Sequence, residues 1–330
     1  MNFKEFLSAL DTSQNIAITA PAGADGDSVG TQCALAEILR ILNPKKKIRI
    51  LNEEPCPRRY RFLSLSSDFE VSSTVLKSSK EEWPDTLICV DGGVSRIGKD
   101  TTEIWKKAKK WGQVDHHALG GENPYHFRLY DPQAASTTEI IFKLLKDQNL
   151  ALTKTMAEAI YVGLIFDTGM FKHSNTRPET LQIAAELMKT GFSHTEVAEK
   201  AMLIRTPGAF SLLKTLLAKS TFDLGGRYVW SSLSYEDFKN SGGDSDDKEG
   251  LIDQLFLTDK CEIAAFYFEK NPNEWKVSFR ARGWDVANLA RSLNAQGGGH
   301  KLAAGCTLMG HQTEILKSCH EAVAKLLGKK

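Results

Sequence analysis

Asp115-His116-His117 places one carboxylate and two imidazoles directly after the short apolar run Gly112-Gln113-Val114. Asp25-Gly26-Asp27, Asp91 and Asp167 likewise follow or end apolar stretches in the N-terminal part of the chain. Oxygen ligands supplemented by imidazole suit a hard or borderline divalent cation, Mn²⁺ or Mg²⁺ rather than a thiolate-seeking zinc. Carboxylates gathered in one cleft repel one another and raise one another's pKa unless cations neutralise them. Convergence of Asp25, Asp27, Asp91, Asp115 and Asp167 therefore makes chemical sense chiefly around metal. Two ions about 3.5–4 Å apart clamp a phosphoryl group and supply hydroxide from water at neutral pH, so hydrolysis of a phosphate ester is the expected reaction. Taken singly, each aspartate also reads as a helix cap or turn residue.

The elements around these residues explain how they could meet. Ile16-Ala17-Ile18-Thr19, Ile48-Arg49-Ile50-Leu51 and Thr86-Leu87-Ile88-Cys89-Val90 read as strands, the last almost wholly apolar. Val29, Leu35, Ile38, Leu39 and Leu42 repeat at helical spacing until Asn43-Pro44, and helices are expected over 137–146 and 154–166. Strands buried on both faces belong to parallel sheets covered by helices, which predicts an α/β N-terminal domain with helices on both faces of a parallel sheet. Ligands of such sheets bind beyond the carboxyl ends of the strands, where Asp25, Asp91 and Asp115 all fall. Ser174-Asn175-Thr176-Arg177-Pro178 predicts a helix start with Ser174 or Thr176 as the capping side chain.

At 330 residues the chain is long enough for two domains. We expect a catalytic domain over 1–190, a helical connector over 191–222 and a smaller α/β domain over 223–330, with strands near Tyr228, Ile263 and Trp275. Forty-two basic against 41 acidic residues leave a net charge of +1, which argues against partnership with long nucleic acid or an anionic membrane. The six cysteines lack paired metal-ligand spacing, and no stretch resembles a leader or a membrane span, so a cytoplasmic protein with reduced thiols is expected. Lysines 106, 107, 109 and 110 between Trp105 and Trp111 read as a solvated helix end. Gly297-Gly298-Gly299-His300-Lys301 reads either as a tight turn or as an anion-binding turn with free backbone amides.

Asp25-Gly26-Asp27-Ser28-Val29-Gly30, Val90-Asp91 with Arg96-Ile97-Gly98, Asp115-His116-His117, and Asp167-Thr168-Gly169 with Phe171 and Ser174 resemble the four successive motifs of the DHH phosphoesterase family. Ser278-Phe279-Arg280 and Gly297-Gly298-Gly299-His300-Lys301 with Ala303-Ala304-Gly305 are similar to its accessory DHHA1 domain. Within that family the layout resembles the NrnA type. That resemblance implies a Mn²⁺-dependent enzyme, with Mg²⁺ as the alternative ion, that cuts mononucleotides from very short RNA or DNA and dephosphorylates pAp. It also implies roles: Asp91 bridges two metals, Asp27, His116 and Asp167 complete one site, and Asp25 serves the other. Asp115, His116 and His117 form the catalytic motif, with His117 near the leaving group. Arg280, Gly298, Gly299 and His300 grip the substrate's terminal phosphate or base, and a homodimer is compatible with the pattern.

One position departs from the family, which places a metal-binding histidine four residues before Asp25, where this chain has Pro21. One of the two metal sites is thus expected to be weakened. The alternatives to weigh are a cyclic-dinucleotide phosphodiesterase and a degenerate nucleotide-binding protein. A single-strand exonuclease of the RecJ kind would call for a more basic chain, and a family II pyrophosphatase would lack the Gly-Gly-Gly-His run.

Overall fold

The computed structural model describes residues 2–78, 83–117 and 123–328. Contacts divide the chain into two compact units, Met1–Ile204 and Arg205–Lys330. The N-terminal unit runs α1 (Phe3–Ser8), β1 (Asn15–Thr19), α2 (Gly26–Leu42), β2 (Lys47–Asn52), β3 (Phe69–Val71), α3 (Ser72–Val75), β4 (Thr86–Val90) and α4 (Lys99–Trp105). It continues with β5 (Lys110–Asp115), β6 (Phe127–Tyr130), α5 (Thr137–Asp147), α6 (Lys154–Asp167), α7 (Pro178–Met188) and α8 (His194–Ala198). Its six strands are parallel in the order β3-β2-β1-β4-β5-β6. Strand order reverses between β1 and β4, and that is where an open α/β sheet leaves a crevice for ligands.

Alternation along the strands loads both faces of this sheet, as the apolar runs predict. Ile16, Ile18, Ile50, Ile88, Val90 and Val114 pack against α2, α5, α6 and α7. From the opposite face Ala17, Leu51, Leu87 and Cys89 meet Val75 of α3 and Ile104 and Trp105 of α4. Trp105 stacks on Trp111 with ring centroids 5.4 Å apart, so the aromatics flanking the lysine run are core, and Lys106, Lys107 and Lys109 lie between α4 and β5 while Lys110 opens β5. Strands β3 and β6 were not anticipated. They are the short outer strands, and Arg128 and Tyr130 break the apolar pattern of β6.

The C-terminal unit comprises α9 (Pro207–Ala218), β7 (Thr221–Asp223), β8 (Tyr228–Leu233), α10 (Tyr235–Ser241), α11 (Leu251–Phe256) and β9 (Ile263–Asn271). There follow β10 (Glu274–Ala281), α12 (Val286–Leu293), β11 (Gly298–His300), β12 (Ala303–Met309) and α13 (Gln312–Leu327). Its mixed sheet has the order β11-β12-β10-β9-β8-β7, with only the β8–β9 pair parallel. One face packs Tyr267, Val277 and Phe279 under α12 and α13, and the other packs Ala264, Phe266 and Phe268 under α9 and α11. The mixed α/β class expected for both domains is what the chain adopts.

Two local expectations need correction. α7 is capped by Arg177, whose backbone N–H donates to Thr180 Oγ1 at 3.4 Å, and neither Ser174 nor Thr176 supplies the cap. The triple-glycine run is not a tight turn, because Gly298–His300 pairs with Ala303–Gly305 as an outer strand and the chain reverses at Lys301-Leu302. Gly299 suits that hairpin because its φ is +138° and a Cβ there would come within 2.5 Å of the Ala303 carbonyl oxygen.

Candidate metal centre

The crevice at the reversal of strand order is built from four segments. Asp25 caps α2: its Oδ1 accepts the backbone N–H groups of Asp27 (3.1 Å) and Ser28 (3.0 Å). The fully buried Asp27 sits in the first turn of α2 and caps a second helix, accepting from Thr137 N at 2.6 Å and Thr138 N at 3.0 Å at the start of α5. This close approach depends on Gly163 in α6, where a Cβ would lie 2.5 Å from Asp27 Oδ1. Asp91 follows β4 with φ +55°, a left-handed conformation that Asp tolerates better than most residues. Its carboxylate is gripped by Ser28 Oγ (2.6 Å) and Thr137 Oγ1 (3.1 Å).

His116 follows β5. Its Nδ1–H donates to the Ala134 carbonyl at 3.1 Å, a bond that fixes the tautomer and turns Nε2 toward the carboxylates. Nε2 lies 3.1 Å from Asp167 Oδ2, 3.8 Å from Asp91 Oδ1 and 4.0 Å from Asp27 Oδ2. Asp167 ends α6, and its backbone carbonyl accepts from Asn175 Nδ2 (3.2 Å) and His173 Nδ1 (3.1 Å). Asn175 also donates to the Ala135 carbonyl at 3.0 Å, next to the carbonyl that orients His116. The buried Glu139 accepts the Ala135 N–H and pairs with Arg177 and Lys143, which further pins this loop.

Asp27, Asp91, His116 and Asp167 thus offer four donor atoms within 4.8 Å of one another, and Asp91, His116 and His117 form a second, overlapping group. Donors about 2.1 Å from an ion stand about 3–4 Å apart, so this three-carboxylate, one-imidazole set fits a divalent cation of the Mn²⁺ or Mg²⁺ kind. Asp25 and Asp115 lie outside both groups. Asp115 instead holds His117: Oδ1 accepts from the His117 backbone N–H at 3.1 Å and from Nδ1 at 2.8 Å, while Oδ2 accepts from Gln113 Nε2 at 2.9 Å. In the other unit Arg280 lies on β10, its Nε donating to Asp253 Oδ1 at 3.1 Å, and Gly298, Gly299 and His300 form β11.

The charges of this group are ones that a cation would balance. Burial raises Asp27, Asp91 and Asp167 to about 6, and mutual repulsion adds to it, chiefly Asp167 on Asp27, Asp27 on Asp91 and Asp91 on Asp167. Burial works against the His116 cation, but the hydrogen bond to Asp167 and the surrounding carboxylates outweigh it and lift the ring to about 10. His117 is raised as well, its bond to Asp115 and the charge of Asp91 overcoming burial.

Sequence reasoning missed the groups that orient these donors. Ser28 and Thr137 passed as helix-start residues, Gln113 as part of an apolar lead-in, and Asn175 as part of a cap. Pro21 packs on the turn after Asp91, its Cγ 2.8 Å from where a Cβ of Gly92 would be.

The DHH family N-terminal domain profile matches residues 15–164, and the DHHA1 domain profile matches residues 227–327. The bifunctional oligoribonuclease and PAP phosphatase NrnA of Thermus thermophilus is 30% identical over 303 residues, covering 89% of this chain and 84% of that protein. The chain belongs to the DHH family of phosphoesterases. As a DHH-family member it is a metal-dependent hydrolase acting on phosphate ester bonds. The NrnA of Bacillus subtilis is 28% identical over 294 residues, 86% of each chain. An exopolyphosphatase-related protein from Bacteroides fragilis shares the fold, with a TM-score of 0.87 over 98% of this chain and 95% of its own at 22% identity. Among the described residues no helix is long and apolar enough to cross a membrane.

Proposed function

We propose that this DHH-family hydrolase removes mononucleotides from very short oligonucleotides and the 3′-phosphate from pAp, using Mn²⁺ held by Asp27, Asp91, His116 and Asp167. The observation that carries this reading is the four-donor group at the reversal of strand order, with Asp27 and Asp91 buried and His116 and Asp167 partly so, in a chain similar to NrnA over most of its length. Bound Mn²⁺ supplies Lewis-acid polarisation of the phosphoryl group. By the family resemblance Asp91 is assigned to both ions and Asp25 to the second, although Asp25 itself lies outside both donor groups. Asp115 orients His117, which we assign to the leaving group. Arg280, Gly298, Gly299 and His300 are assigned to the substrate's terminal phosphate or base, an acceptor suited to a planar guanidinium. On this reading 1–190 is the catalytic domain, 191–222 the connector and 223–330 the substrate-binding domain. The six buried free thiols fit a reducing cytoplasm.

The test is release of phosphate or mononucleotide from pAp, pApA, pGpG and a longer single strand, with Mn²⁺ or Mg²⁺. Turnover of pAp and the dinucleotides, weak action on the long strand and loss of turnover in Asp115→Asn are expected. Saturable binding without release would favour a nucleotide-binding protein instead.

Pro21 bears on the second ion. Proline offers no ligand atom, so the second position is left with Asp25, Asp91 and water, and it should fill only at higher Mn²⁺ than the four-donor position. Pro21→His is expected to tighten the weaker of two calorimetric Mn²⁺ binding steps about tenfold or more, on the order of what a lost supporting ligand costs such sites. Two tight steps of equal affinity in the parent protein, or no change in the variant, would count against a weakened site.

A further inference from the structure

Gln113 takes no part in either donor group, yet its side chain joins two of the four segments that build the centre. It is buried on β5, and Nε2 donates to the Gly92 carbonyl at 2.8 Å and to Asp115 Oδ2 at 2.9 Å. A primary amide carries two N–H donors, and both are used here, one on each side of the gap between the ends of β4 and β5. The Gly92 bond settles which way round the amide sits. An oxygen facing the Gly92 carbonyl would meet another acceptor, so the nitrogen must face both partners. Oε1 has no hydrogen-bond partner among the described residues, so only the nitrogen side of this group is engaged.

The consequence runs through Asp115. With Oδ2 held by Gln113, the carboxylate plane is fixed and Oδ1 is presented to the His117 backbone N–H and to Nδ1. A carboxylate at that distance from Nδ1 selects the Nδ1–H tautomer, in which Nε2 carries no proton. We infer that Gln113 is a positioning residue for the reaction: it locks Asp115, and through Asp115 it sets the orientation and tautomer of His117 beside the metal donors. The inference rests on the assignment of His117 to the substrate, but its structural part can be tested without substrate.

Two variants separate this role from simple support of the fold. Gln113→Met keeps the volume and removes both donors, and Gln113→Glu keeps the length while turning a carboxylate oxygen toward two acceptors. Either one, if folded, decides. In the Mg²⁺-loaded protein above pH 8, the imidazole ¹⁵N shifts of His117 should report a single Nδ1–H tautomer in the parent and a mixture in the variants. The turnover number should fall about 10- to 100-fold, the range seen for lost outer hydrogen-bond partners. KM and the dissociation constant of the four-donor metal site should stay within about twofold, because Asp115 belongs to neither donor group. An unchanged single tautomer in a folded variant would overturn the inference, and so would metal affinity falling in step with turnover. Absence of turnover in the parent on pAp and dinucleotides would instead overturn the proposed function, leaving the ¹⁵N result to stand by itself.

Discussion

Asp91→Asn is expected to lower the turnover number at saturating Mn²⁺ by about a thousandfold or more, the loss seen when a principal electrostatic contact to a reacting group is removed. Asp91 is the only carboxylate in both donor groups among the described residues, so its loss weakens every arrangement of cations the centre can hold. The substitution isolates that effect because Asn tolerates the same left-handed backbone at φ +55° and matches Asp in size. It still mismatches locally: an amide nitrogen must face either Ser28 Oγ or Thr137 Oγ1, both of which now donate to the carboxylate. Removing one buried charge also relieves repulsion with Asp27 and Asp167. Thermal stability in a chelator should therefore hold or rise while activity collapses. The check pairs turnover of pAp with thermal denaturation in EDTA, and a variant within tenfold of the parent would remove Asp91 from the proposed bridging position.

The parts of the fold that sequence made legible are those where one physical cause dominates. β1, β2 and β4 are buried on both faces and read as apolar runs, and α2 keeps helical spacing to its end at Asn43-Pro44. β3 and β6 were illegible because a short outer strand has little apolar pattern to show. At the centre, Asp27, Asp91, His116 and Asp167 stood out only as a set, since each aspartate alone also reads as a cap or turn residue and it is their joint order along the chain that resembles the family motifs. The groups that aim them did not. Gln113 and Asn175 act through side-chain amides on backbone carbonyls far away in sequence, and that partnership leaves no trace in local composition. Asp25 shows the converse limit. Its motif position was plain, yet one oxygen of its carboxylate is committed to capping α2, a contact that depends on how the loop after β1 closes.

The same charges predict that metal reverses the pH dependence of stability. In the metal-free protein Asp27, Asp91 and Asp167 titrate near 6, above their ordinary 3.8, so the folded state holds more protons than the unfolded chain between about pH 4 and 6. Stability contributed by these groups is then present at the acid end and lost as pH rises through about 6. A shift from 3.8 to about 6 corresponds to about 3 kcal/mol for one isolated group, and three coupled neighbours contribute less than three times that. His116 acts in the same direction: with its folded value near 10, its contribution is complete below about 6.5 and is lost as pH rises toward 10. Metal-free protein should therefore melt at progressively lower temperature from pH 5 to pH 8. Bound cation inverts the balance, since it favours the ionised carboxylates and the neutral imidazole and must displace protons to bind. Free Mn²⁺ at about a thousand times its dissociation constant adds about 4 kcal/mol. For a chain of 330 residues that is a rise in melting temperature of about 6 °C. The gap between Mn²⁺-loaded and chelator-treated protein should widen from pH 5.5 to pH 8 in a fluorescence melt. A gap that is constant or shrinks with pH would mean that these four side chains are not what the metal binds.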